Sequence, residues 1–289
     1  RARQEAFRHL ADMHAALVLD AFNDLQDHRL KPLAAFFAGS EHVTRDEFRV
    51  FATLLEQRLD LRALEWVQPV PAAHKAEWEA QAQAEGETTF GGSDFTIWQY
   101  GEDGARTPAA GREMYYPVWY VEPLTGNEAA LGYDLGSEAV RRAALEAAIA
   151  SGLPTATDPL ALVQGHADET GLLAFVPVYD GEGRALRGLV LAVFHPEAFL
   201  RSVLFTELGA DAAAVVEVYQ IEAGQPPRYL AASWGELAAE HGDDFGGGPS
   251  SLLRPLFAFG KTYILNVYPG PAFLAANPLW HGWVAALSG

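Results

Sequence analysis

The sequence predicts an α+β protein with a long N-terminal helix followed by two small antiparallel-sheet units in tandem. Three observations predict it. Residues 1 to about 30 carry an apolar stripe at helical spacing, with no Gly or Pro until Pro32. From about residue 90 to 194, strand-length apolar runs, one helix and a terminal hairpin follow one another. Beyond residue 200, short strand-length runs recur between Gly/Pro-rich or acidic loops. At about 100–200 residues per domain, 289 residues make one large or two modest domains, each able to bury a core. The units divide as residues 1–30, 31–200 and 201–289.

In the first helix Phe7, Leu10, His14, Leu17 and Ala21 follow a 3-4 spacing, widened by Val18, Phe22 and Leu25. The stripe is narrow enough for a dimer seam and equally suits a helix lying on its own domain. A second helix opens after Ser40, where Thr44 and Glu47 form a capping-box pair ahead of Phe48, Phe51, Leu54, Leu55 and Leu59. Residues 63–71 are an apolar stretch closed by Pro69 and Pro71, and a third helical run covers about 72–84, ending at Gly86. Strands begin around Phe90, Phe95, Ile97 and Trp98 and continue in residues 115–121. Ser137 is placed to cap a helix through Ala150 that Gly152 and Pro154 end. Residues 160–163 and 171–179 are strand-length, and the turn Asp180-Gly181-Glu182-Gly183 returns residues 186–194 as a hairpin. A connecting helix over 196–204 leads to strands at 214–221, 228–234 and 262–268, with a flexible joint at Gly246-Gly247-Gly248-Pro249. Trp280 and Trp283 ahead of an apolar run read either as an interfacial belt before a membrane helix or as a short amphipathic helix on the core.

Composition excludes several functions. With 38 Asp+Glu against 20 Lys+Arg the net charge is −18, which works against a nucleic-acid partner. A chain that is 49% hydrophobic and 11% aromatic is too apolar for disorder. The absence of cysteine removes disulfides, thiolate metal sites and a cysteine nucleophile. No run of about 18 apolar residues exists, and the charged start has no signal-peptide core. The first residue is Arg1, so the chain reads as a segment of a longer protein.

Catalytic patterns are poor. The Gly-rich stretches lack a phosphate-binding arrangement, and no Gly-x-Ser-x-Gly elbow occurs. His166, Asp168 and Glu169 form a polar loop that reads as solvated surface sooner than as a metal site, and His195 suits a helix start. No metal, cofactor or catalytic residue is assigned. Recognition is better supported. Trp98, Tyr115, Tyr116, Trp119, Tyr120, Tyr133 and Phe175 bring aromatics to the middle unit, whose strands hold few charges. Asp134 is the exception. It reads either as a carboxylate stabilised at a helix N-terminus or as a fixed acceptor for a ligand N–H or cation in an aromatic pocket.

These middle residues resemble a known family. Leu64-Glu65-Trp66-Val67-Gln68-Pro69-Val70, Phe95-Thr96-Ile97, Tyr115-Tyr116-Pro117-Val118, Leu131-Gly132-Tyr133-Asp134-Leu135, the Arg141-Arg142-Ala143 helix, residues 151–157 and Phe175-Val176-Pro177-Val178-Tyr179 come in the order seen in the CHASE domain. This is the extracytoplasmic sensor of histidine kinases, diguanylate cyclases and plant cytokinin receptors, and the resemblance covers about residues 40–200. It implies a stalk helix over 1–30, a membrane-distal PAS-like domain to about 200, and a membrane-proximal PAS-like domain leading to a membrane helix. It further implies a homodimer formed through the stalk, tethered to the inner membrane and facing the periplasm or cell exterior. The segment itself is then no enzyme, and the kinase or cyclase lies in the cytoplasmic part of the full protein.

The resemblance also implies where a small molecule would bind. By position, Asp134 would bond the ligand, as it bonds adenine in the cytokinin-binding branch. A backbone group of Ala156 beside Thr157 would complete that contact. Tyr133, Tyr116, Trp119 and Phe175 would wall the pocket, and Thr170 would offer a hydroxyl to the ligand tail. Leu191 departs from the small residues of the cytokinin receptors and reshapes the pocket, while the loop over 165–170 is longer than theirs. A purine-like molecule or another N–H donor is the expected ligand. The competing reading is an interaction module without a ligand, its pocket filled by Leu191 and Trp119, that only sets dimer geometry. An acidic secreted hydrolase would need a nucleophile or metal site that the sequence does not supply.

Overall fold

The N-terminal stripe builds a helix longer than the sequence announces. In the computed structural model, which describes residues 2–55, 59–84, 95–163, 170–181, 185–208, 213–235 and 251–278, α1 (Ala2–Asn23) continues through wide π-type turns over Asp24–Leu30 into α2 (Lys31–Gly39). Pro32, the expected stop, therefore lies inside a continuous helix. Proline lacks an N–H, and its ring clashes with the carbonyl four residues back in a regular α-helix. The wide turns change that pairing: the Lys31 N–H reaches back five residues to the Gln26 carbonyl. Arg29 holds the segment in place, its Nε donating to Asp24 Oδ2 at 2.8 Å and its guanidinium to the Leu55 carbonyl.

The buried face of α1 comprises Phe7, Ala11, His14, Val18, Ala21 and Phe22 and lies against the chain's own strands and a second helix. Met13 and Leu19 remain 42% and 39% exposed on its outer side. After α2, the pair Thr44–Glu47 forms the capping box the sequence announced. The Thr44 N–H and hydroxyl donate to Glu47 Oε2 at 2.9 and 2.8 Å, and the Glu47 N–H returns to Thr44 Oγ1 at 3.3 Å. It opens α3 (Arg45–Leu55).

The first unit is built on one antiparallel sheet. Its strands are β1 (Ala63–Val67), β6 (Val118–Glu122), β7 (Thr155–Ala156), β8 (Leu160–Ala161), β9 (Thr170–Tyr179) and β10 (Leu186–Phe194), in the order β6-β1-β10-β9-β7 with β8 also on β9. The sequence-expected hairpin of β9 and β10 pairs from Tyr179↔Leu186 to Leu172↔Phe194, although residues 182–184 of its turn lie outside the described residues. Short pairs β2 (Val70–Pro71) with β5 (Met114–Tyr115), and β3 (Trp98–Tyr100) with β4 (Arg106–Pro108), flank it. α4 (Lys75–Ala84) lies on one side of the unit and α5 (Ala139–Ser151) packs on the other face of the sheet. The N-cap of α5 is Glu138, not Ser137: its carboxylate accepts from the Val140 and Arg141 N–H groups, while Ser137 Oγ donates to the Asp134 carbonyl. Gly152 ends α5 at φ 68°, the left-handed conformation glycine adopts without strain.

α6 (Pro196–Leu208) leads into the second sheet, ordered β12-β11-β14-β13 from β11 (Ala214–Ile221), β12 (Arg228–Ala232), β13 (Leu252–Ala258) and β14 (Lys261–Pro269), and α7 (Pro271–Ala276) follows. β13 is a strand the sequence reading missed. Its Pro255 argues against a strand interior, but β13 is an edge strand, where a missing N–H is tolerated. Trp280, Trp283 and the joint at 246–249 lie outside the described residues. Among the described residues no helix is long and apolar enough to cross a membrane.

The two sheets meet along the N-terminal helix and at one hairpin tip. Phe259 and Gly260, at φ 49° and 69°, turn β13 into β14 with two consecutive left-handed residues. The Ala156 N–H donates to the Phe259 carbonyl at 2.9 Å. Asp158 accepts from Lys261 Nζ and Gln220 Nε2, each at 2.6 Å, so β7 and the residues after it are tied to the second sheet.

His14 gives the fold a pH dependence. The side chain is buried in the α1 face with Nδ1 on the Leu10 carbonyl at 2.8 Å, and burial lowers its pKa more than that hydrogen bond raises it. The folded state then binds the proton more weakly than the unfolded chain, whose histidine titrates near 6.5. Stability should fall as pH is lowered through and below about 6.5. Melting curves from pH 7.5 to 5.5 should show a loss in the wild type that His14→Leu flattens; equal slopes in the two proteins would remove His14 from this role.

Candidate functional site

Strand β1 is buried from end to end, and alternation along it separates two faces. Leu64 and Trp66 face α2 and α4, while Ala63, Glu65 and Val67 face α5. A carboxylate thus enters an apolar layer of Val118, Leu173, Leu191 and Val193. Glu65 is 1% exposed, and its register partners are Leu191 on β10 and Val121 on β6.

The layer is roofed by residues 131–137, threaded between β3 and β6. The Asp134 N–H donates to the Trp98 carbonyl at 2.9 Å, Leu135 N–H to Tyr116 O at 3.0 Å, and Val118 N–H to Tyr133 O at 3.1 Å. This threading brings Tyr133 to the same cavity as Glu65. From α5 comes Arg141, 4% exposed, its guanidinium 5.4 Å from the centre of the Tyr133 ring. Its Nη2 donates to the Ala161 carbonyl at 2.7 Å and Nη1 to Glu138 Oε2 at 3.3 Å, while its buried Nε has no hydrogen-bond partner among the described residues. Glu65, Tyr133 and Arg141 line a small cavity of about 10 Å³, room for about one water. Burial raises the Tyr133 pKa, so its hydroxyl stays protonated at neutral pH. The arrangement presents an acid, a guanidinium and a phenol to a space with apolar walls, and suits binding of a small polar molecule.

Asp134 lies beside this cavity and is fully buried. Its Oδ1 accepts the Tyr116 and Gly136 N–H groups at 2.8 and 3.0 Å, and its Oδ2 accepts Arg112 Nε at 2.8 Å. Arg112 also bonds Gln99 Oε1 and lies over the Tyr115 ring. A side chain at Gly136 would come within 3.2 Å of both Asp134 Oδ1 and the Tyr116 ring.

Of the residues the sequence pointed to, Tyr133, Phe175 and Leu191 share the apolar cluster around the cavity, and Tyr116 packs against it half-buried. Thr157 is buried beside Leu173, whose N–H donates to its Oγ1 at 3.1 Å. Trp119 and the Ala156 side chain belong to the opposite face of the sheet. Thr170 stands at the exposed start of β9, its carbonyl 3.2 Å from His195 Nδ1. His166, Asp168 and Glu169 lie outside the described residues. Glu65, Arg141 and Arg112 were not singled out as site residues. The available signal was one acidic residue inside the apolar run of residues 63–67.

No curated protein matches the chain. Among solved structures it is similar to an extracellular ligand-binding receptor from Desulfohalobium retbaense, with 13% identity and a TM-score of 0.52 over 91% of the chain, and it spans 40% of that receptor's chain. At that identity the likeness concerns the fold alone. It is also similar to the ligand-binding domain of the Pseudomonas aeruginosa amino acid chemoreceptor PctC in complex with GABA (15% identity, TM-score 0.48, 91% of this chain and 98% of that one). The periplasmic sensory domain of the Campylobacter jejuni chemoreceptor Tlp1 compares at 10% identity and TM-score 0.45, over 93% and 94% of the two chains. The family model of the CHASE domain matches residues 41–230, which include both the cavity and the start of the second sheet, and the chain belongs to the CHASE domain family of extracytoplasmic sensor domains.

Proposed function

We propose that the chain is the small-molecule sensor of a transmembrane signalling receptor, a histidine kinase or diguanylate cyclase, with the ligand held in the distal unit. In this reading residues 31–200 form the distal PAS-like domain and 201–289 the proximal one, and two copies pair through the outer side of α1, where Met13 and Leu19 are exposed. The observation that carries it is the buried trio of Glu65, Tyr133 and Arg141 in a layer that is otherwise apolar. Charged groups are costly in such a layer, and a ligand that brings an acceptor to the unsatisfied Arg141 Nε, with an N–H or cationic group beside the Glu65 carboxylate, would put them to use. Asp134 is the second acceptor for such a ligand, reached by shifting residues 131–137.

A cavity of about 10 Å³ has to open to admit any ligand. Moving α5 is the direct way, because α5 leads into β7, whose Ala156 bonds the tip of the second sheet. The signal then travels from α5 through β7 to the proximal sheet and biases the dimer between two arrangements. A ligand that prefers one arrangement by about 1.4 kcal/mol shifts that equilibrium tenfold.

The test is a thermal-shift screen of purines, amino acids and small carboxylates, followed by calorimetric titration of any hit. Glu65→Gln should weaken binding at least tenfold, and an unchanged affinity would remove the assigned site. The small cavity favours a second reading, a ligand-independent dimerisation module, since Tyr133, Leu135 and Leu173 already fill the space. A blank screen together with stalk-dependent dimerisation would decide for it.

A further inference from the structure

The same sheet encloses a second cavity on its reverse face. Phe37 from α2, Trp66 from β1, Trp78 from α4, and Trp119 and Tyr120 from β6 surround about 150 Å³, fifteen times the space beside Glu65. Phe37 stacks on Trp66 with ring centres 3.8 Å apart, and Trp78 stands edge-on to Trp119 at 5.5 Å. The neighbouring strand is cut away to seat this wall. A Cβ at Gly188 would fall 2.4 Å from both Trp66 Cη2 and the Val67 carbonyl oxygen.

The polar groups of the cavity are unequal in what they offer. Arg187 is spent on the C-terminal end of α2: its Nη1 donates to the Phe37 and Ser40 carbonyls at 2.6 Å and its Nη2 to Glu41 O at 3.1 Å. Its charge is therefore answered by the helix carbonyls. Of the other polar groups that line it, Gln68 Oε1 is buried with no hydrogen-bond partner among the described residues, and the Glu41 side chain stands at the exposed rim, near His42 and Gln81. Aromatic walls with a buried unsatisfied acceptor and a carboxylate at the rim suit a cation. A space of this volume holds one six-membered ring or its equivalent, and a chain of net charge −18 concentrates cations around it.

We propose that this reverse-face cavity is a binding site for a small organic cation, an ammonium compound of about single-ring size. Its aromatic surroundings contact the charged carbon–nitrogen head, and Gln68 Oε1 receives a hydroxyl or N–H of the ligand. The site is separate from the Glu65 cavity and does not rest on the sensor reading given for it.

The probe is choline, titrated calorimetrically into the whole chain beside 3,3-dimethylbutan-1-ol, which has the same shape without the charge. Choline should bind, and the neutral analogue should bind at least tenfold more weakly. Trp78→Leu, a change to a half-buried side chain, should weaken choline at least tenfold, whereas Glu65→Gln on the other face should leave it unchanged. Gln68→Leu should weaken choline severalfold and leave tetramethylammonium, which has no hydroxyl, as it was; this variant serves if Trp78→Leu does not fold. Absence of choline binding, equal binding of the neutral analogue, or insensitivity to both cavity variants would overturn the proposal. Loss of binding in Glu65→Gln would move the cation to the other cavity and overturn it as well.

Discussion

Replacing Phe22 by Ala should cost about 3–5 kcal/mol, as for a large aromatic side chain removed from a packed core. The ring lies where α1 passes between the two sheets. It stacks on Tyr263 of β14 at 5.8 Å and meets Phe194 of β10, Phe199 of α6 and Phe259 of the hairpin tip at 6.5, 5.1 and 6.2 Å. One side chain is thus shared by both units. Scanning calorimetry should show a melting temperature lower by on the order of 10 °C, with the single transition broadening or splitting as the sheets lose their common contact. Phe22→Leu, which keeps most of the volume, should lose less than half as much. A shift of less than about 2 °C for Phe22→Ala would mean that the units do not depend on this junction.

The second large effect concerns Arg112. Asp134 is wholly buried, whereas the Arg112 side chain is 22% exposed, and their ion pair is 2.8 Å long. Arg112→Ala leaves a buried carboxylate with two backbone N–H donors and no counter-charge, which should cost about 3 kcal/mol, toward the low end for a broken buried pair because water can enter beside it. The double variant Arg112→Met with Asp134→Asn removes the charge with its partner and should recover much of that loss. Denaturant midpoints test both statements. A double variant no more stable than Arg112→Ala would show that the cost lies in lost packing of the arginine stem. The pair of experiments also separates the two readings of Asp134, since a residue that only positions residues 131–137 changes stability without changing ligand affinity once the fold is restored.

Much of this architecture was legible because local rules and global packing agree at the residues involved. Thr44 and Glu47 cap their helix as their spacing announces. The apolar runs that became β9 and β10 pair along their length. Where the rules conflict, the sequence misled. Pro32 reads as a helix stop, but turns of five-residue reach absorb it. Pro255 reads as a loop, but β13 is an edge strand. The site was harder for another reason. Tyr133 and Leu191, both named from the sequence, share one apolar cluster, yet Glu65, Tyr133 and Arg141 come from a strand, a threaded loop and a helix, so only packing brings them together. Which face a side chain takes also depends on register: Val118 and Trp119 are neighbours in sequence and line different cavities.

The wide turns of the stalk have a mechanical meaning. The buried positions of α1 and the residues after it run 7, 11, 14, 18, 22 and 25, and at 3.6 residues per turn the series would continue at about 29, 32 and 36. The chain buries Arg29 at the expected place and then Leu30, Leu33 and Phe37, each one place later. Since a helix turns about 100° per residue, the added residue is what aims α2 at its own sheet while α1 stays on the other. Rewinding those turns to ordinary α-helix would rotate α2 by about 100° and advance it about 1.5 Å against α1. The N-terminal helix is therefore a rod with two indexed faces, one for each sheet, and the offset between them is set by whole residues and not by a gradual bend.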